Sequence, residues 1–191
     1  SPDKEVYVKP EAGYPLVVWL HGGGETGDDN RIQIAANNVP QWSEEESQGI
    51  FGGAYVLAPQ NHAGAGDGAA AATKSLIEQF VAEMGDIDIN RIYVGGCSYG
   101  GSATWTMIRN YPNFFAAAYP ICSGPSGGLS QKELKALANL PIYITVSTGD
   151  SSGIVSGMIQ AYNDLKAAGN ENVHISLFEH SECEGQAEWI A

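Results

Sequence analysis

Gly96-Cys97-Ser98-Tyr99-Gly100-Gly101 is the segment of this 191-residue chain best suited to covalent chemistry. It follows an apolar run and opens a helix-period segment. That is the setting of a nucleophile elbow, where a serine on a sharp strand-to-helix turn holds its hydroxyl clear of the sheet. Glycines are needed around it because side chains there would strike the neighbouring strand and helix. The following helix aims free N–H groups at the same point, where they favour an oxyanion. The plainer alternative is a Gly-rich turn with an incidental serine, and the strand-then-helix setting argues against it. A second segment, Leu20-His21-Gly22-Gly23-Gly24, closes an earlier apolar run. Its glycines leave backbone N–H groups of Gly23 and Gly24 open to a substrate oxygen, and with the N–H of Tyr99 they would form an oxyanion hole. His21 reads as a structural hydrogen-bonding residue rather than a base.

Placing these segments requires a sheet covered by helices. Apolar runs alternate with helix-period segments along the chain, which predicts an α/β fold with a mostly parallel sheet. The expected strands are Pro15 to Leu20, Ala54 to Ala58, Arg91 to Gly95, Ala116 to Ile121, Ile142 to Ser147 and Val173 to Phe178. Most are near-continuous apolar runs, as in strands buried on both faces. Val6-Tyr7-Val8 is expected as a further edge strand. Helices are predicted over Ala69 to Met84, stopped by Gly85, over Tyr99 to Asn110, stopped before Pro112, and over Ile154 to Ala168, ended by Gly169. No repeat or linker interrupts residues 1–191, which are read as one domain.

Composition narrows the function. Hydrophobic residues make up 43% of the chain and charged residues 16%, enough apolar material for a packed core. Nine Lys+Arg against 22 Asp+Glu leave a formal net charge of −13, which repels phosphate backbones and argues against nucleic acid as a partner. No apolar run is long enough to span a membrane. Cys97, Cys122 and Cys183 lack zinc or redox spacing, and no metal-ligand cluster accompanies the Glu44-Glu45-Glu46 run, which is read as a solvated loop or helix start. Neither a metal nor a cofactor is expected. A dinucleotide loop at Gly64-x-Gly66-x-x-Ala69 is disfavoured because the following strand ends in Gly95-Gly96-Cys97, without the required acid.

The chain resembles the α/β-hydrolase superfamily. It looks closest to the small serine esterases grouped with polyhydroxybutyrate depolymerases, feruloyl esterases and predicted peptidases. The resemblance runs through residues 14–30, Val56-Leu57-Ala58-Pro59-Gln60, residues 90–101, Tyr111-Pro112 and residues 114–124. It implies an α/β-hydrolase fold and ester hydrolysis through an acyl-serine, with small or polymeric esters as substrates. The short length leaves little room for a lid, so an open site is expected, with Tyr99 and Trp42 as walls for the substrate. Similar enzymes place their catalytic acid where Thr148-Gly149-Asp150 follows a strand. Asp150 is therefore assigned the role of orienting the base, a helix-capping aspartate being the alternative.

The base is where the chain departs from the family. Similar esterases carry a histidine near the C-terminal end, in a segment that here reads Gly185-Gln186-Ala187-Glu188-Trp189. Glutamine cannot act as a general base. His180, just beyond the last predicted strand, is the imidazole in the right loop; otherwise the base is missing. His174 lies within a strand, while His21 and His62 precede the serine and break the usual order of serine, acid, histidine. The resemblance also extends to tannase-like esterases that bridge cysteines beside serine and histidine. It suggests a Cys97–Cys183 disulfide, with Cys122 as a competing partner and three free thiols as the alternative. A bridge would imply an oxidising compartment.

Overall fold

The computed structural model describes residues 1–36, 39–61 and 66–180. Its strands are β1 (Tyr14–Leu20), β2 (Tyr55–Leu57), β3 (Ile87–Cys97), β4 (Ala117–Ile121), β5 (Ile142–Ser147) and β6 (Val173–Phe178). Helices α1 (Ile32–Ala35), α2 (Glu45–Phe51), α3 (Asp67–Met84), α4 (Tyr99–Asn110), α5 (Gln131–Ala136) and α6 (Ser152–Ala167) connect them. The strands form one six-stranded sheet in the order β2-β1-β3-β4-β5-β6, with every pairing parallel. This is the α/β-hydrolase arrangement that the sequence implied.

The two faces of the sheet are covered unequally. Leu16, Val18, Ile92, Val94, Ile144 and Val146 turn one way and pack against Ile77 of α3, Trp105 and Ile108 of α4, and Met158 and Leu165 of α6. Each such side chain contributes about 1.5–3 kcal/mol on burial. A smaller cluster of Trp19, Val39, Cys97, Ile121 and Cys122, joined by Trp42 and Tyr119, lies elsewhere in the fold. Alternation along each parallel strand supplies two apolar faces, which is why these segments read as continuous apolar runs.

Three details differ from the sequence expectations. Residues 6–8 do not form a strand. Val6 N–H and Tyr7 N–H both donate to the Asp3 carbonyl, and the Tyr7 carbonyl accepts from Tyr14 Oη at 2.7 Å, so this backbone is satisfied locally. Strand β3 starts four residues before Arg91, at Ile87. Its polar start is held because Asp88 accepts from Asn90 N–H and Arg91 Nε, while Arg91 also donates to the Gly13 carbonyl at 2.7 Å. The β1–β3 register slips between Tyr14 and Leu16, at Pro15, which has no N–H for the ladder. Helices α1, α2 and α5 had no counterpart among the expected helices, apart from the helix start read at Glu44 to Glu46. Each is short, and periodicity over seven residues or fewer carries little signal.

Candidate active site

The C-terminal ends of β1, β3 and β5 carry the residues singled out from sequence. Ser98 sits between β3 and α4 at φ 57° and ψ −112°, a conformation that costs a non-glycine residue about 1–3 kcal/mol. Packing enforces it. Ser98 N–H donates to the Ile121 carbonyl at 2.9 Å, and the Ser98 carbonyl accepts from Ser102 N–H at 3.0 Å. The flanking glycines permit contacts that no side chain would. A methyl group on Gly100 would collide with the Leu20 carbonyl oxygen, and one on Gly96 would strike the same atom. One on Gly101 would lie 2.5 Å from the Ile121 carbonyl oxygen. The start of α4 is therefore pressed onto the ends of β1 and β4, with Ser98 forced outward between them.

The β1 exit loop lies over this turn. After Leu20 it forms a 3₁₀ turn, Gly23–Glu25. A methyl group on Gly23 would meet Tyr99 Cβ at 3.9 Å, so the loop and the elbow are in direct apposition. The N–H groups of Gly23, Gly24 and Tyr99 have no acceptor among the described residues. They are the orphan donors expected at the starts of a 3₁₀ turn and of a helix. His21 is buried, and both ring nitrogens are occupied. Nδ1 lies 2.7 Å from the Gly22 carbonyl, to which it donates, and Nε2 accepts from Asn61 N–H at 3.1 Å. Its ring stacks on Tyr99 with centroids 6.4 Å apart. A histidine so engaged fixes the loop and has no free nitrogen for a proton transfer.

Asp150 and His180 lie on the loops that follow β5 and β6. The His180 ring lies directly over Gly149, where a methyl group would run into Nδ1. The His180 backbone N–H donates to Thr148 Oγ1 at 2.9 Å, and Thr148 N–H donates to the Phe178 carbonyl at 2.8 Å. The two loops are thus laced together. Asp150 Oδ1 accepts from Ser151 N–H at 2.8 Å, whereas Oδ2 is buried without a hydrogen-bond partner among the described residues. Among the described residues no hydrogen bond joins His180 to Asp150 or to Ser98. The capping role considered for Asp150 is not what its side chain does at α6, whose N-cap is Ser151.

Cys97 and Cys122 are free and buried. Hydrogen bonding to Cys97, followed by burial, pushes the Cys122 thiol up, so Cys122 stays a neutral donor. The negative charge of Asp150 also opposes ionisation of both thiols. Cys183, Gln186 and His62 lie outside the described residues. His174 is on exposed β6, its ring 6.2 Å from that of Tyr143.

The proposed substrate walls separate. Tyr99 lines a polar cavity of about 580 Å³ that follows α4 through Ser102, Thr106 and Arg109, and its buried phenol oxygen has no partner among the described residues. Trp42 instead packs on Trp19, with ring centroids 5.3 Å apart, beside an apolar cavity of about 190 Å³ that includes Val17, Tyr93 and Ala117 from the middle of the strands. The structure groups Trp42 with the sheet face. Sequence reasoning missed Gln60, Asn61 and Thr148, which hold these loops in place. Their signal was available as polar side chains at the exits of β2 and β5. Among the described residues no cluster of His, Cys, Asp or Glu could hold a metal ion, and no helix is long and apolar enough to cross a membrane.

No family model matches the chain. Poly(3-hydroxyalkanoate) depolymerase C of Paucimonas lemoignei is 33% identical over 130 residues, which are 60% of this chain and 29% of that protein. A solved thermostable esterase superposes with a TM-score of 0.81 at 29% identity, covering 95% of this chain and 52% of the other. The feruloyl esterase module from Clostridium thermocellum, solved with sinapinate, shares the fold with a TM-score of 0.67 at 15% identity, over 93% of this chain and 72% of that one. The chain thus spans about half the length of the thermostable esterase and less than a third of the depolymerase. The fold is that of the thermostable esterase, and in sequence the chain is similar to that esterase and to a poly(3-hydroxyalkanoate) depolymerase.

Proposed function

We propose that this chain is a serine carboxylesterase acting on aryl, acetyl or polyester-type esters through an acyl-serine intermediate. The observation that carries this reading is the strained Ser98 at φ 57°, held between glycines, with the Gly23 turn lying against Tyr99 and no acceptor among the described residues for the N–H groups of Gly23, Gly24 and Tyr99. In the reaction, Ser98 Oγ attacks the ester carbonyl and its proton passes to His180. The tetrahedral oxyanion accepts hydrogen bonds from Tyr99 N–H and from Gly23 or Gly24 N–H. The alcohol leaves with the proton from His180. Water then attacks the acyl-serine, again giving its proton to His180, and the acid is released as Ser98 Oγ leaves and takes that proton back from His180. Asp150 holds the imidazole in the working tautomer through its unpartnered Oδ2 once His180 turns toward it. The relatives' names support an ester substrate, and the polar cavity from Tyr99 along α4 suits an alcohol portion that carries hydroxyl or carbonyl groups.

A non-catalytic binding protein on the same fold is the second reading. It is favoured by the missing hydrogen bond between His180 and Asp150. A fluorophosphonate probe combined with a nitrophenyl acetate assay decides between them. Stoichiometric labelling that is lost in Ser98→Ala, with turnover reduced about 10⁴-fold or more, is the expected result. Absence of labelling in the unaltered chain overturns the esterase reading. Full turnover in His180→Ala overturns only the assignment of the base. Turnover of matched amides and esters separates a peptidase from an esterase.

A further inference from the structure

We propose that Gln60, three residues beyond the end of β2, is a positioning residue that sets the conformation of the oxyanion loop; this rests on the esterase reading. The loop from His21 to Asn30 is held at its two ends by consecutive residues of another loop. Asn61 N–H donates to His21 Nε2 at 3.1 Å, which secures the first half, and the Asn61 carbonyl accepts from Gly27 N–H at 3.3 Å. Gln60 secures the second half. Its Nε2 donates to the Glu25 carbonyl and to Asp29 Oδ1, each at 3.0 Å, and its Oε1 accepts from Asn30 N–H at 2.6 Å. Both donors of the amide and its oxygen are thereby engaged.

The geometry of the loop depends on this arrangement. Asn30 sits at φ 52°, a left-handed conformation that its bond to Gln60 helps to hold. Gly27 lies so close that a methyl group there would be 2.9 Å from Gln60 Nε2. Glu25, whose carbonyl Gln60 grips, ends the 3₁₀ turn that begins with Gly23. The Gln60 amide therefore fixes the far end of the turn whose first residue, Gly23, lies against Tyr99. It touches no reacting atom and acts entirely through the backbone of the loop.

The test compares Gln60→Ala and Gln60→Glu with the unaltered chain. Gln60→Glu keeps an acceptor for Asn30 N–H but replaces the donor with a second acceptor facing Glu25 O and Asp29. Both variants should lower kcat on nitrophenyl acetate about 10- to 100-fold, because a misplaced oxyanion donor is felt in the transition state. KM should stay within about twofold, and affinity for a boronic acid that forms a tetrahedral adduct on Ser98 should fall with kcat. A purely structural role would instead lower activity only in step with the unfolded fraction, measured by urea denaturation, and that result overturns the proposal. So does an unchanged kcat. A readout free of turnover is the pair of ¹⁵N–¹H resonances of Gly23 and Gly24. They should shift in Gln60→Ala while those of α6 stay in place; unmoved resonances overturn the proposal. Failure of the unaltered chain to react with a fluorophosphonate overturns the esterase reading and leaves this resonance test in force.

Discussion

The serine half of the site and its acid–base half are built to different standards. Around Ser98, backbone meets backbone: the Gly96 and Gly100 α-carbons press on the Leu20 carbonyl, and the Gly101 α-carbon presses on that of Ile121. No alternative rotamer can relieve such contacts, so the elbow is fixed whenever the sheet and α4 are folded. Around Asp150 the corresponding close contact is a side chain, the exposed His180 ring lying over Gly149. One carboxylate oxygen there has no donor among the described residues. The fold therefore fixes the turn that carries the proposed nucleophile by backbone packing against the core, while the proposed acid and base sit on two loops laced together at their edges. A conformational step that turns His180 onto Asp150 would complete the second half.

Several measurements would break or sharpen this contrast. The largest effect is expected from Asp150→Asn, which should reduce kcat about 10⁴-fold by removing the charge that orients the base. Its stability should hold or rise, because a buried oxygen with no partner is destabilising. A loss of stability without a loss of turnover would make Asp150 a structural residue. Next come two matched glycine substitutions. Gly100→Ala forces a methyl group into the Leu20 carbonyl and should destabilise the fold by about 3 kcal/mol or more, read from urea denaturation. Gly149→Ala displaces only the His180 ring, so its stability should change by less than about 1 kcal/mol while kcat falls about 10-fold or more. Equal stability losses in the two variants would erase the contrast drawn here.

The smallest effect lies away from both halves, at the start of α5. Glu133 is held down to about 2: burial opposes its ionisation, and the Ser130 hydroxyl, the Ser130 N–H and Arg109 outweigh that opposition. The carboxylate value in the folded chain is below its ordinary value of 4.5, so the stabilisation is fully present above pH 4.5. It is lost as pH falls from 4.5 toward about 2. Glu133→Gln should accordingly destabilise the chain by about 1 kcal/mol at pH 6, with the difference shrinking by pH 3 in denaturant titrations.

Parts of this arrangement were legible in the residues because they depend on local stereochemistry. Gly96 to Gly101 could be read as an elbow since close backbone approach requires glycine at fixed offsets around a serine, whatever the surroundings. Strands β5 and β6 and helix α4 were readable to the residue, each being a long or unbroken apolar pattern with a clear stop. The polar start of β3 was not, because Asp88 and Asn90 look like loop residues until Arg91 is seen to bind Asp88 and Gly13 together. Residues 6–8 alternate like a strand, yet their hydrogen bonds close onto Asp3 and Tyr14.

By itself the sequence determined an acidic α/β chain with a serine on a glycine-lined turn and a second glycine-rich loop to serve it. Those features follow from composition, periodicity and the steric demands of single turns. Only the tertiary structure decided that Gly23 lies over Tyr99, that both nitrogens of His21 are occupied, that Gln60 grips the oxyanion loop and that the His180 ring rests on Gly149. These pairings join residues far apart in the chain. They depend on the order in which parallel strands assemble and on which loop ends that order makes neighbours, and no local pattern of residue types records it.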